Sequence, residues 1–71
     1  MSRGVASALT VVRVARGAPR PGDAELRAAL ARDRAALQLP PITAIADIAV
    51  AGPYAISVDG AETDEYVVWE R

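Results

Sequence analysis

The side chains able to do chemistry are few in kind. The chain has 71 residues with no His and no Cys, and all eight of its basic residues are Arg. That composition removes the commonest general base, the thiolate nucleophile, the Schiff-base amine and the N and S ligands of a zinc site. Carboxylate, hydroxyl and guanidinium groups remain. The densest carboxylate cluster is Asp59, Glu62, Asp64 and Glu65 in the string DGAETDE. Carboxylates on a Gly-containing loop can converge on Ca²⁺, but the spacing does not follow D-x-[DN]-x-[DN]-G and no bidentate Glu follows in register. An acidic docking surface and a solvated hairpin tip are the other two readings of this loop.

The guanidinium groups run as Arg13, Arg16 and Arg20, with Arg27 and Arg34 further on. Phosphate neutralisation needs such clusters. Against nucleic acid stand a net charge of −1 and the lack of any aromatic residue interleaved among these arginines to stack bases. GAPRPG, residues 17–22, carries two glycines in neither phosphate-cradling pattern, and its role is a rigid connector. The absence of an enzyme's usual groups and of any metal-ligand set points to a protein that acts by binding, with no catalytic, cofactor or metal residue of its own.

The elements that would position these groups follow from the apolar period. Leu9 to Ala15 (LTVVRVA) alternates β-branched residues as a strand does. After the Pro- and Gly-rich connector, AELRAALARDRAALQL is built of strong helix formers, with Leu26, Leu30 and Leu37 as its apolar stripe and Asp23 as N-cap, also spaced i, i+4 from Arg27. Asp33 falls where a further apolar residue would extend the stripe, so the buried face is shallow. Pro40 and Pro41 end the helix. Residues 41–51 fit either a strand or a helix begun by Pro41, with β-branched content favouring strand. Gly52-Pro53 breaks the chain, Tyr54, Ile56 and Val58 form the next strand, and Tyr66 to Trp69 (YVVW) the last, with GAETDE as a loop longer than a tight turn. Trp69 packs in the core or anchors an interface.

These elements predict a small single α+β domain over residues 1–71, with 1–8 as a flexible N-terminus and one helix packed on an antiparallel or mixed sheet of three to four strands. A core this small contributes roughly 3–5 kcal/mol, so burial against another copy or another protein is the expected source of further stability. Residues 1–38 carry seven Arg against Asp23, Glu25 and Asp33, and residues 39–71 carry Arg71 against six carboxylates, a +4/−5 division that can orient a partner or join the two halves. No segment has the pattern of a signal peptide or the roughly 18 apolar residues of a membrane span, and the expected location is cytoplasmic.

The string VVRVARGAPRPGDAELRAAL, residues 11–30, resembles the epsilon subunit of actinobacterial acyl-CoA carboxylases. That family has a short strand ending in V-x-R-G-x-P followed by E-L-x-A-L at the start of a helix. Val14, Arg16, Gly17 and Pro19 match the first motif, and Glu25, Leu26 and Ala28 the second, with Leu30 displaced by one. Ala18 stands where the family has Asn, and residues 41–71 have no counterpart in the motif. The resemblance implies an accessory subunit without an active site that holds or stimulates carboxylase subunits. Biotin would belong to the partner, since this chain has no Lys to carry it. The alternative function is a small DNA-binding regulator or antitoxin-like protein. The residues expected to make the interaction are Arg13, Arg16, Pro19, Arg20, Leu26, Leu30 and Trp69, and the expected partners are larger subunits, among them biotin-dependent carboxylase subunits, or a second copy.

Overall fold

The β-branched run at the start of the chain forms β1, Leu9–Ala15, and the Ala-rich segment forms α1, Asp23–Ala36. Two longer strands follow, β2 at Ile48–Val58 and β3 at Ala61–Glu70. The computed structural model describes residues 9–41 and 47–71. The three strands form one antiparallel sheet in the order β1-β3-β2, so the last strand of the sequence is the central one. The architecture is the expected small α+β fold, with three strands and no parallel pair among the described residues.

The helix covers one face of the sheet. Leu26 and Leu30 are wholly buried against Val68 of β3 and Ile48 of β2, with Val12, Val50 and Leu39 around them. Tyr66 is buried on the same face. Asp33, which interrupts the apolar stripe, accepts a 2.8 Å hydrogen bond from the Thr10 hydroxyl and so ties the helix to β1. A polar pair therefore occupies the place where an apolar contact would have continued the stripe.

Both helix ends differ from the sequence expectation. The N-cap is Gly22, in extended conformation and without a side-chain cap, and Asp23 is the first helical residue. Its carboxylate meets Arg20 at 3.3 Å instead of closing the first-turn amides. At the other end α1 stops at Ala36, so Leu37 lies past the last turn and is 58% exposed. Gln38 takes the left-handed conformation, φ 59°, and the Leu39 and Gln38 amides return to the carbonyls of Arg34 and Ala35 at 2.9 and 3.1 Å. This is the Schellman arrangement, whose apolar contact is made here by Leu39. Chain reversal one turn before the prolines moves the third apolar contact from Leu37 to Leu39.

The hairpin also departs from expectation. Gly52-Pro53 does not break the chain: β2 runs through it, with the register against β3 shifting between Ala51 and Tyr54. A bulge absorbs the residues that cannot keep the ladder. The turn is the two-residue Asp59-Gly60, with φ of 50° and 80°, as a type I′ hairpin requires. The acidic residues after it belong to β3. Of the ambiguous segment 41–51, residues 48–51 are strand, and 42–46 lie outside the described residues, as do 1–8.

Candidate interaction surface

The face of the sheet turned away from α1 carries five cross-strand rows. Leu9, Trp69 and Ala49 form the first, and Val11, Val67 and Ala51 the second. Arg13, Glu65 and Tyr54 form the third, Ala15, Thr63 and Ile56 the fourth, and Ala61 and Val58 close the hairpin end. Leu9, Val11, Tyr54 and Val58 are exposed, whereas Val67 and Trp69 on the central strand and Ile56 on β2 are half-buried. The surface is thus an apolar sheet face crossed by one ion pair, Arg13 to Glu65 at 2.6 Å. No described residue covers it. Alternation along the strands explains why it exists: each of β1, β2 and β3 is apolar at consecutive positions, and α1 can bury only one of the two sets.

Arg16 has a different task. Its guanidinium donates to the carbonyl oxygens of Thr63 and Ile56 at 3.3 and 2.8 Å and meets Asp64 at 3.1 Å and Glu62 at 3.5 Å. The next amide, Gly17 with φ 82°, donates to Asp64 Oδ2 at 3.0 Å. The end of β1 is thereby fastened across β3 to β2, and the Arg-Gly dipeptide of the first motif is a structural clamp on a buried carboxylate. The acidic string does not act as one group. Strand alternation turns Glu62 and Asp64 toward Arg16 and sends Glu65 to the opposite face with Arg13. Among the described residues no three carboxylates converge on a point.

The expected interaction residues therefore separate. Arg13 and Trp69 lie on the open face, and Pro19 and Arg20 are exposed in the connector. Leu26 and Leu30 have no exposed surface and serve the core. Arg13, Arg16 and Arg20 each pair with a carboxylate, which a phosphate would have to displace. Arg34, only 5% exposed, bonds the Pro40 carbonyl and Glu70 and holds the exit of the helix to the end of β3. The positive first half and negative second half of the chain thus meet largely within the fold. Val67, not singled out from sequence, was signalled by the unbroken apolar run of β3, since a strand with one solvated face would alternate, whereas Val11 and Tyr54 join this face through their pairing with Val67 and Glu65.

Clefts among the described residues flank the sheet. One, of about 270 Å³, is rimmed by the pairs Arg20–Asp23 and Arg71–Asp47. Another, of about 360 Å³, lies between β1 and α1. Comparison with protein-family models, with curated proteins and with solved structures gives no match. No helix among the described residues is long and apolar enough to cross a membrane.

Proposed function

We propose that the chain is a non-catalytic accessory subunit, acting in the cytoplasm, that stabilises or regulates a larger protein complex through the open face of its sheet. The observation that supports this reading is the continuous apolar surface from Leu9 and Trp69 through Val11 and Val67 to Tyr54 and Ile56, in a chain with little core of its own. Burial of apolar area of this kind contributes about 25 cal/mol per Å², and the half-buried Trp69 is the sort of aromatic anchor that carries interface energy. The specific form of the proposal is an epsilon-type subunit of an acyl-CoA carboxylase, which rests on the Val14–Pro19 and Glu25–Leu30 motifs. The clamp made by Arg16 and Gly17 gives the first motif a physical reason for its residue types.

Affinity capture from the source cell with the intact chain and two face variants, Ala51→Arg and Tyr54→Ser, tests both levels. Capture of a defined complex that both variants lose, with their thermal unfolding unchanged, is the expected result. Capture indifferent to both variants would overturn the use of this face. A captured complex without biotinylated subunits would overturn the carboxylase form.

A further inference from the structure

The cleft between β1 and α1 is lined by two sets of residues that each have their own midpoint. From the strand come Val11, Val12 and Arg13, centred on Val12, the middle residue of β1. From the helix come Glu25, Ala28, Ala29 and Arg32, centred between the two alanines. Glu25 and Arg32 make no ion pair among the described residues, unlike Arg13, Arg16, Arg20, Arg34 and Arg71. Among the described residues β1 is also an edge of the sheet. The Arg16 amide bonds the Glu62 carbonyl at 3.4 Å, which makes that pair a hydrogen-bonded one. By antiparallel alternation Val14, Val12 and Thr10 bond β3 likewise, and the peptide groups of Val11 and Arg13 face outward. The strand has no proline, and its only charge, on Arg13, is held by Glu65 on the open face, so nothing on it blocks pairing.

We infer that this edge is the site of a homodimer in which β1 pairs antiparallel with β1 of a second copy about a two-fold axis through Val12, giving one six-stranded sheet. A second copy, more than an unrelated peptide, is the occupant because the lining is self-complementary. The axis that places Val12 against Val12 aligns the whole of Leu9–Ala15 with its mate and sets Val11 against Arg13 of the other copy. It also lays the two helices antiparallel, with Glu25 opposite Arg32 of the second copy, Arg32 opposite its Glu25, and the alanines between. Strands lie about 4.8 Å apart, so a helix seated over β1 and β3 is about one strand spacing from the axis and the two helices are about 10 Å apart. That is contact distance for helices that meet through alanine. The outer faces of the two copies become one continuous surface of double area, but the inference uses only the edge and the helix and stands independently of what covers that face.

Sedimentation equilibrium on the intact chain, with charge-swap variants, tests it. A dimer is expected, with Glu25→Arg and Arg32→Glu each weakening association about tenfold or more at low salt, because both copies then oppose like charges. The double swap restores it, which a folding defect would not do. Hydrogen exchange at the Val11 and Arg13 amides should slow as protein concentration rises. A chain that stays monomeric at millimolar concentration, a dimer insensitive to the single swaps, or a dimer in which those two amides remain unprotected would each overturn the inference. Failure of partner capture with the dimer intact would leave it standing and would instead count against the accessory role.

Discussion

Gly52 is the residue whose replacement the structure constrains most sharply. It sits in the β2 bulge with φ 124°, outside the regions open to residues with a side chain. A Cβ built there would stand 2.6 Å from the carbonyl oxygen of Glu65 and 3.2 Å from Cα of Tyr66, both backbone atoms of the central strand. Neither can rotate aside, so Gly52→Ala must open the bulge and disturb the pairing of Tyr54 with Glu65. Backbone strain at such a φ costs on the order of 1–3 kcal/mol, and forced overpacking adds on the order of 1–3 kcal/mol, for a total of about 3 kcal/mol or more. Stability for a chain of this length is on the order of 3–5 kcal/mol, so the variant loses a large part of it. Gly60→Ala is the internal control. Gly60 has φ 80° but open space where its Cβ would go, and its cost is the left-handed term alone, about 1–2 kcal/mol. Urea unfolding followed by far-ultraviolet circular dichroism measures both. With a slope of about 1 kcal/mol per molar for a small domain, Gly52→Ala lowers the midpoint by about 2 M more than Gly60→Ala does. Equal losses for the two variants would refute the account, because they would mean that the Glu65 carbonyl gives way freely.

The helix C-terminus and the Thr10 contact give two more tests. Gln38→Gly places the preferred residue at the left-handed position of the Schellman turn and raises stability by about 0.5–1 kcal/mol, read as a higher thermal midpoint. Thr10→Val keeps the shape of a 3% exposed side chain while leaving the half-buried Asp33 carboxylate without its donor, and lowers stability by about 1–3 kcal/mol in the same urea assay.

The apolar period placed β1 and α1 closely, because nothing in those segments competes with it. It failed where local chemistry outweighed period. Leu37 continues the helical spacing, but the chain leaves the helix before it can bury, and Leu39 takes the contact two residues on. Gly52-Pro53 reads as a break because Pro lacks an amide, yet an edge strand tolerates that loss at a bulge. Asp59-Gly60 is the strongest short hairpin signal available, and the carboxylates after it disguised the start of a strand as a loop. The clamp on Asp64 could not be read from spacing at all, since Arg16 and Asp64 are brought together only by the pairing of the first strand with the last.

The position of β3 bears on the proposed role. A central strand in a two-layer fold needs apolar side chains on one face only, and the solvated face would ordinarily be polar. Here Tyr66 and Val68 point to the helix, whereas Val67 and Trp69 point away from it, and their neighbours on β1 and β2 are Leu9, Val11, Ala49 and Ala51. Such a pattern is that of a strand covered on both sides. α1 supplies the cover on one side, and its 14 residues cannot reach the other. An apolar face of this kind is the surface that the proposed association would cover. The +4/−5 division does not supply an alternative cause, because many of its charges are used inside the fold, in the Arg13–Glu65, Arg16–Asp64 and Arg34–Glu70 pairs. Among the described residues, none covers the outer sheet face or the β1 edge with Glu25 and Arg32 beside it. The first is apolar and suits a larger partner; the second is self-complementary and suits a second copy, so the two surfaces can be occupied at once without competing.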